Sequence, residues 1–180
     1  MAMEATRAHI LASAWQLLAK RGFADLRLDD VAAGADTTVR TLLRAFGSKE
    51  MLFAATLDSL GELGQGPVTP GDVVKTASTM FDFYDKVGDM VIRWLADENR
   101  VPAMRPYLAA GRAHLRAWVT GSFAPELAGK RGRARKELLS ALIVPLDVYT
   151  WKLLRRDFGL SRRDAERVVV RTIRSLIQGG

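Results

Sequence analysis

Apolar residues recur at helical spacing along most of the chain. Between Thr6 and Lys20 they stand at positions 10, 14, 17 and 18, which places them on one face of a helix. Gly22 follows two basic residues and predicts the end of this first helix. No segment of the sequence shows the alternation of apolar and polar residues that is typical of a half-buried strand. The pattern therefore predicts an all-α protein.

The stretch at residues 28–50, LDDVAAGADTTVRTLLRAFGSKE, predicts two short helices around a tight turn and the start of another helix. Val31 and Ala32 supply small apolar side chains on the first helix, and they face Leu42 on the second. We expect Thr38 to cap the second helix, Val39 to Phe46, because its hydroxyl can accept from amides that otherwise lack a partner.

The segment FGSKE predicts how this second helix ends. Gly47 should close it, and Ser48 should cap the next helix, which is predicted to reach about Leu60. Lys49 stands where backbone amides and an ammonium group can hold a phosphate together. Because a three-helix core of this size is marginal alone, the helix from Ser48 should brace it.

The remainder of the chain predicts further helices. The clearest interruption is Gly61 to Gly71, with four glycines and two prolines, which we expect to be a loop. Asp72 should then cap a helix that ends near Gly88. Further helices are predicted over Asp89 to Glu98, Pro102 to Val119, Glu137 to Phe158 with a kink or split at Pro145, and Arg162 to Gln178.

The net charge of +7 gives weak support for nucleic-acid binding, because residues 101–180 hold the surplus, with sixteen Lys and Arg against six Asp and Glu. The basic run Lys130 to Lys136 is interpreted as a solvated loop or helix start, with contact to nucleic acid or to an acidic effector as the alternative. The absence of cysteine and the two isolated histidines predict no metal site. We expect a cytoplasmic protein, since no signal peptide or membrane-spanning segment is apparent.

Residues 10–53 resemble the DNA-binding domain of the tetracycline-repressor (TetR) family of bacterial transcription regulators. The match runs in order and without a gap. It comprises Ile10, Ala14, Leu17 and Leu18, the Arg21-Gly22-Phe23 exit, Asp30-Val31-Ala32, Thr41-Leu42, Arg44, Phe46, and Ser48-Lys49-Glu50 with Leu52. The chain departs from the family where Asp36 replaces a usual glycine, where Leu43 and Ala45 replace Tyr and His, and where Arg27 replaces a capping Thr.

The resemblance implies a helix-turn-helix DNA-binding domain over residues 1–50 and a helical effector-binding and dimerisation domain over residues 51–180. It implies a homodimeric regulator, by analogy a repressor, that a small-molecule effector releases from a palindromic operator. We expect Arg40 to read a base edge, because a guanidinium can bond guanine bidentately. The full set of expected DNA contacts is Thr37, Thr38, Val39, Arg40, Thr41, Leu43, Arg44 and Lys49.

Two further sets of residues follow for the second domain. Aromatic and methionine side chains could line an effector pocket, although ordinary core packing is the alternative for each of them. They are Met80, Phe83, Tyr84, Trp94, Met104, Tyr107, Trp118, Phe123 and Tyr149. The last two predicted helices carry more apolar surface than one buried face requires, which indicates a partner. The expected dimer contacts are Leu146, Leu153, Val169, Ile173 and Leu176.

An enzyme is the principal alternative from another class, together with a helical small-molecule-binding protein that does not act on DNA. Paired carboxylates such as Asp82 with Asp85, or Asp97 with Glu98, are candidates for acid or base chemistry. Neither pair is joined to a His, a Cys or a Gly-rich phosphate loop. The sequence therefore predicts neither catalytic residues nor a cofactor.

Overall fold

The chain folds into helices and connecting turns throughout the residues that the structure describes. The computed structural model describes residues 2–59 and 66–179, and no strand occurs in these ranges. The α-helices are α1 (Ala2–Arg21), α2 (Leu28–Gly34), α3 (Val39–Phe46), α4 (Lys49–Ser59), α5 (Val73–Asp97), α6 (Arg105–Ser122), α7 (Ala124–Leu127), α8 (Gly132–Ile143), α9 (Val148–Lys152) and α10 (Arg162–Gln178). The all-α prediction is confirmed.

The contacts between residues divide the chain into two compact units. Unit 1 consists of Met1–Leu63 and Arg93–Leu108, and unit 2 consists of Gly64–Ile92 and Ala109–Gly180. Helices α5 and α6 therefore contribute residues to both units. The domain boundary at residue 50 stays a prediction.

The aromatic ring of Phe53 lies at the centre of unit 1 and is fully buried. The rings of Phe23, Tyr107 and Trp94 meet it edge-on, with centroids 4.8, 5.3 and 6.1 Å away. This arrangement is favourable because the positive edge of one ring meets the negative face of another. Helix α1 buries the predicted stripe residues Ile10, Ala14 and Leu18.

Helix α5 is continuous over 25 residues, so the predicted break near Gly88 is wrong. A Cβ atom at Gly88 would lie 2.4 Å from Cζ3 of Trp151. The glycine therefore lets the indole ring approach the helix backbone, and it does not end the helix. Asp72 caps α5 as predicted, with its Oδ1 accepting from the amide of Lys75 at 2.9 Å.

The segment predicted as one helix from Glu137 to Phe158 consists of several shorter ones. Helix α8 is followed by a 3₁₀ turn over Val144–Leu146, which contains Pro145, and Asp147 then caps α9. Proline interrupts the α-helix because it has no amide hydrogen to donate, so the predicted split is confirmed. A π-helical turn, Leu153–Asp157, ends the segment.

Helix α8 begins at Gly132, five residues before the predicted start at Glu137, whereas the other predicted boundaries hold with small shifts. Helix α10 has the predicted limits, and the hydroxyl of Ser161 caps it by accepting from the amide of Asp164 at 3.2 Å. The helix predicted from Pro102 begins with a 3₁₀ turn over Pro102–Met104 and continues to the end of α6. Of the predicted loop at 61–71, residues 61–65 lie outside the described residues, and 66–71 are not helical.

The described helices differ in length and in apolar character. None of those in residues 2–59 and 66–179 is both long enough and apolar enough to cross a membrane.

Candidate nucleic-acid interface

Helices α2 and α3 form the predicted helix-turn-helix. Val31 and Ala32 of α2 and Leu42 of α3 are all buried in unit 1. The amide of Thr37 donates to the carbonyl of Ala32 at 2.9 Å and closes the turn. Asp36 has a positive φ of 50°, a conformation that aspartate tolerates better than most residues. This is the position at which the sequence has aspartate in place of a usual glycine.

Side-chain hydrogen bonds fix the start of α3. The hydroxyl of Thr38 accepts from the amide of Thr41 at 3.2 Å, so the predicted cap is confirmed. The two threonine hydroxyls also lie 3.1 Å apart and share a hydrogen bond. Each hydroxyl keeps further hydrogen-bonding capacity, because it combines one donor with two acceptor lone pairs.

One face of α3 is exposed and carries two arginines. Arg40 and Arg44 are both exposed and stand four residues apart, so they project from the same side of the helix. Neither side chain makes an ion pair or hydrogen bond within the described part of the chain. Leu43 is also exposed, at 43%, and Val39 and Thr41 are partly exposed. The exposed face therefore offers two guanidinium groups with all their donors available.

The end of α3 follows the predicted sequence of caps. Gly47 has a φ of 84°, which favours glycine, and its amide donates to the carbonyl of Leu43 at 2.8 Å. The hydroxyl of Ser48 then accepts from the amide of Met51 at 3.2 Å and caps α4. These contacts fix the chain on both sides of α3.

Lys49 is the one expected DNA contact whose side chain already has a close aromatic partner in the described part of unit 1. Its ammonium nitrogen lies 4.6 Å from the centroid of the Phe23 ring. Partial burial lowers the pKa of Lys49, while the charges of Glu50, Asp25 and Asp97 act in the opposite direction. The neighbouring carboxylates would repel a phosphate at this position, so a DNA contact by Lys49 requires its side chain to move.

Arg7 of α1 lies beside the end of α3, and it is absent from the contacts predicted from the sequence. Its guanidinium carbon lies 4.4 Å from the centroid of the Phe46 ring, and its Nη1 donates to the carbonyl of Ala45 at 3.5 Å. A cation is favoured at the C-terminal end of a helix. Arg7 lies in α1, 38 residues before Ala45, so no local sequence motif could have indicated this contact.

The nine expected effector residues do not belong to one unit. Trp94, Met104 and Tyr107 belong to unit 1, where Trp94 packs edge-on against Trp15 with centroids 6.3 Å apart. The other six belong to unit 2, and Tyr149 among them is 58% exposed. Six of the nine are buried, which fits both core packing and a pocket wall, so the effector residues stay a prediction; the six are Met80, Tyr84, Trp94, Met104, Trp118 and Phe123.

The expected dimer contacts need correction. Leu146, Val169 and Ile173 are at most 1% exposed within the chain itself, so they belong to its core and cannot form a surface for a partner. Leu153 is 43% exposed, and Leu176 is partly exposed. Sequence periodicity had indicated the apolar faces correctly but had not separated the face that packs internally from the face that remains outside.

The carboxylates of the enzyme alternative are engaged in structural contacts. Oδ1 of Asp85 accepts from Nε1 of Trp151 at 2.9 Å, and Asp82 lies 2.8 Å from the guanidinium of Arg162. Oδ2 of Asp97 accepts from the amide of Ala24 at 3.3 Å. These contacts give each of the three carboxylates a role in the fold.

Part of the chain matches a known protein family. Residues 10–56 match the family described as bacterial regulatory proteins, tetR family, and this range includes the whole helix-turn-helix. No match was found among curated proteins.

Proposed function

We propose that this chain, whose residues 10–56 are the DNA-binding domain of a tetR-family regulator, is a homodimeric repressor released from a near-palindromic operator by a small molecule. The observation that carries the proposal is the exposed face of α3, where Arg40 and Arg44 project without partners in the described residues from a helix capped at both ends. Rigid placement matters because a base contact depends on the angle at which the helix enters the groove.

The two arginines have different proposed roles. Arg40, in the first turn of α3, bonds a guanine edge, because residues near the start of a recognition helix contact bases in the major groove. Arg44 lies one turn later and holds the phosphate backbone, together with the hydroxyl of Thr41. Two such helices in a dimer would contact successive major grooves about 34 to 36 Å apart.

The proposed dimer interface uses apolar side chains that the chain leaves exposed after α8. Val144, Tyr149, Leu153 and Phe158 are 64%, 58%, 43% and 64% exposed. Tyr149 and Leu153 stand four residues apart in a helical segment, so they share one face. Exposed apolar side chains in one segment indicate an interaction surface, and a two-fold axis would bring the same segment of a second copy against it.

Selection of bound fragments from random double-stranded DNA by the purified full chain tests the proposal. We expect a palindromic consensus for the parent protein. Arg40→Ala should lose preference at one position of each half-site, at a cost of about 1 to 3 kcal/mol for the preferred base. Arg44→Ala is the matched control on the same helix, since it should weaken all sequences alike and leave the consensus unchanged.

Two results would contradict the proposed reading face. One is a consensus that is identical for the parent and for Arg40→Ala. The other is an Arg44→Ala variant that changes the selected bases while Arg40→Ala does not. A parent protein that enriches no sequence would contradict the proposed function as a whole.

A further inference from the structure

Three of the four buried side-chain atoms without a hydrogen-bond partner in the described residues belong to unit 2. They are Oγ1 of Thr76, Oγ of Ser122 and Oε2 of Glu126, and the fourth, Nε of Arg93, belongs to unit 1. Thr76 is only 2% exposed and Ser122 is fully buried. Buried hydroxyls are normally paired because an unpaired one lowers stability, so this group requires an explanation.

Residues 66–71, which we call the strap, connect these positions at one end. The amide of Gly71 donates to the carbonyl of Ser122 at 2.9 Å. A Cβ atom on Gly71 would lie 3.7 Å from Cγ of Pro125, the residue before Glu126. Since Asp72 directly follows Gly71, the end of α6 and the start of α7 both lie beside the cap of α5.

The other end of the strap also touches both long helices. The carbonyl of Gly66 accepts from Nε1 of Trp118 at 3.0 Å, and a Cβ atom on Gly66 would lie 3.4 Å from Cγ2 of Thr79. Helix α5 therefore starts beside the Gly71 end of the strap and passes its Gly66 end. Helix α6 passes the Gly66 end first and finishes beside the Gly71 end, so the two helices run in opposite directions here. Thr76 stands about one helical turn before Thr79, so it lies at a level between Trp118 and Ser122.

The strap is attached in a way that permits it to open. Gly66 and Gly71 have φ angles of 85° and 76°, so a residue with unusual backbone freedom stands at each end. Between them Val68 packs against Gly121, where a Cβ atom would lie 3.2 Å from the valine side chain, yet Val68 stays 42% exposed. A segment with so few buried contacts opens at low cost in free energy.

We propose that the strap is a lid over a binding site formed by Thr76, Ser122 and Glu126, and that this site takes a small molecule with an ammonium group and an apolar body. A carboxylate only accepts hydrogen bonds, so Glu126 requires a donor, and a charged donor gives the stronger bond. Trp118 and Phe123 are buried and stand within four residues of Ser122 in the sequence, so we assign them to the apolar walls of this site. The inference rests on the proposed release of the protein from DNA by a small molecule.

The first test needs no ligand. Thr76→Val keeps the shape of the side chain and removes an unpaired hydroxyl, so the thermal midpoint of the full chain should rise by about 2 to 4 °C. Thr56→Val is the matched control, because Thr56 is equally buried but its hydroxyl donates to the carbonyl of Leu52 at 2.7 Å. The control should lower the midpoint. A Thr76→Val midpoint at or below that of the parent would show that the hydroxyl already has a partner, such as a bound water, and would overturn the site.

The second test uses 2-phenylethylamine as the probe, with 2-phenylethanol and 3-phenylpropionate as neutral and anionic counterparts, in calorimetry on the full chain without DNA. The amine should bind, the acid should not, and Thr76→Val or Glu126→Gln should weaken amine binding about tenfold. The proposal is wrong if the amine does not bind, if the acid binds as well as the amine, or if both variants bind the amine as the parent does.

A third measurement separates this inference from the proposed function. If the amine binds through Thr76 but leaves the complex with the selected DNA intact, the site stands and the proposed release mechanism fails. If 2-phenylethylamine releases DNA from Thr76→Val and from the parent equally well, the release mechanism stands and this site is overturned.

Discussion

Replacing Gly88 by alanine tests the close contact between α5 and the indole ring of Trp151. In a helix interior this exchange normally stabilises a protein by about 0.5 to 1 kcal/mol, because alanine restricts the unfolded chain and favours the helix. At Gly88 the new Cβ would lie 2.4, 2.6 and 2.7 Å from three ring atoms of Trp151, so the ring has to move.

The expected magnitude follows from what the ring contacts. Trp151 is fully buried, and its Nε1 donates to Oδ1 of Asp85, which stands one turn before Gly88 on α5. Overpacking costs about 1 to 3 kcal/mol, and loss of a hydrogen bond to a charged group adds about 1.5 to 3 kcal/mol. After the gain from alanine is subtracted, we expect the free energy of unfolding to fall by about 1 to 3 kcal/mol if the hydrogen bond survives in part.

Gly111→Ala is the matched control. Gly111 lies inside α6, and no atom of the described residues stands within 4 Å of the position its Cβ would occupy. Its free energy of unfolding should rise by about 0.5 to 1 kcal/mol, since the effect on the unfolded chain is the same. Urea denaturation followed by circular dichroism measures both variants. If Gly88→Ala is stabilised as much as Gly111→Ala, the close approach of Trp151 does not explain why α5 carries a glycine in its interior.

Three other predictions concern Arg7, whose guanidinium beside the end of α3 we expect to attract the phosphate backbone, the proposed dimer contacts, and Lys49. Arg7→Ala should weaken binding to any duplex and reduce the slope of log K against log salt by about one unit, whereas Arg7→Lys should keep the slope; fluorescence anisotropy measures both. Leu153→Asp should place a charge in the proposed interface and give monomers in sedimentation, while Leu43→Asp, equally exposed on α3, should leave the dimer intact. Lys49→Met keeps apolar contact with Phe23 and removes a desolvated charge, so chemical denaturation should show no loss of stability. If the DNA affinity of this variant equals that of the parent, Lys49 is not a phosphate contact.

The features that could be predicted from the sequence are those that a few neighbouring residues determine. Thr38, Ser48, Asp72 and Ser161 cap helices because a hydroxyl or carboxylate can reach amides within the next three residues. The interruption at Pro145 follows from a missing amide hydrogen at that one residue. Such features need no knowledge of the rest of the fold.

The features that could not be predicted depend on residues far apart in the chain. Gly88 looks like a helix terminator until Trp151 is known to lie against it. Ile173 and Leu153 both belong to apolar faces, but only packing within the chain decides that the first is buried and the second is exposed. The same holds for Lys49, whose position beside a helix start indicates a phosphate contact, whereas its ammonium group lies against the ring of Phe23.

The distribution of charge affects how such a protein would select its DNA. The surplus of Lys and Arg lies in residues 101–180, whereas α3 carries only Arg40 and Arg44. A large diffuse positive charge would strengthen binding to every sequence alike and would mask the contribution of a single base contact. Because α3 carries few cations and its ends are fixed, one base contact supplies a larger share of the total binding free energy than it would beside a large diffuse charge. Specificity in this protein would therefore depend on how rigidly Thr38, Gly47 and Ser48 hold α3, and any change that loosens these caps should reduce discrimination between sequences more than it reduces affinity for random DNA.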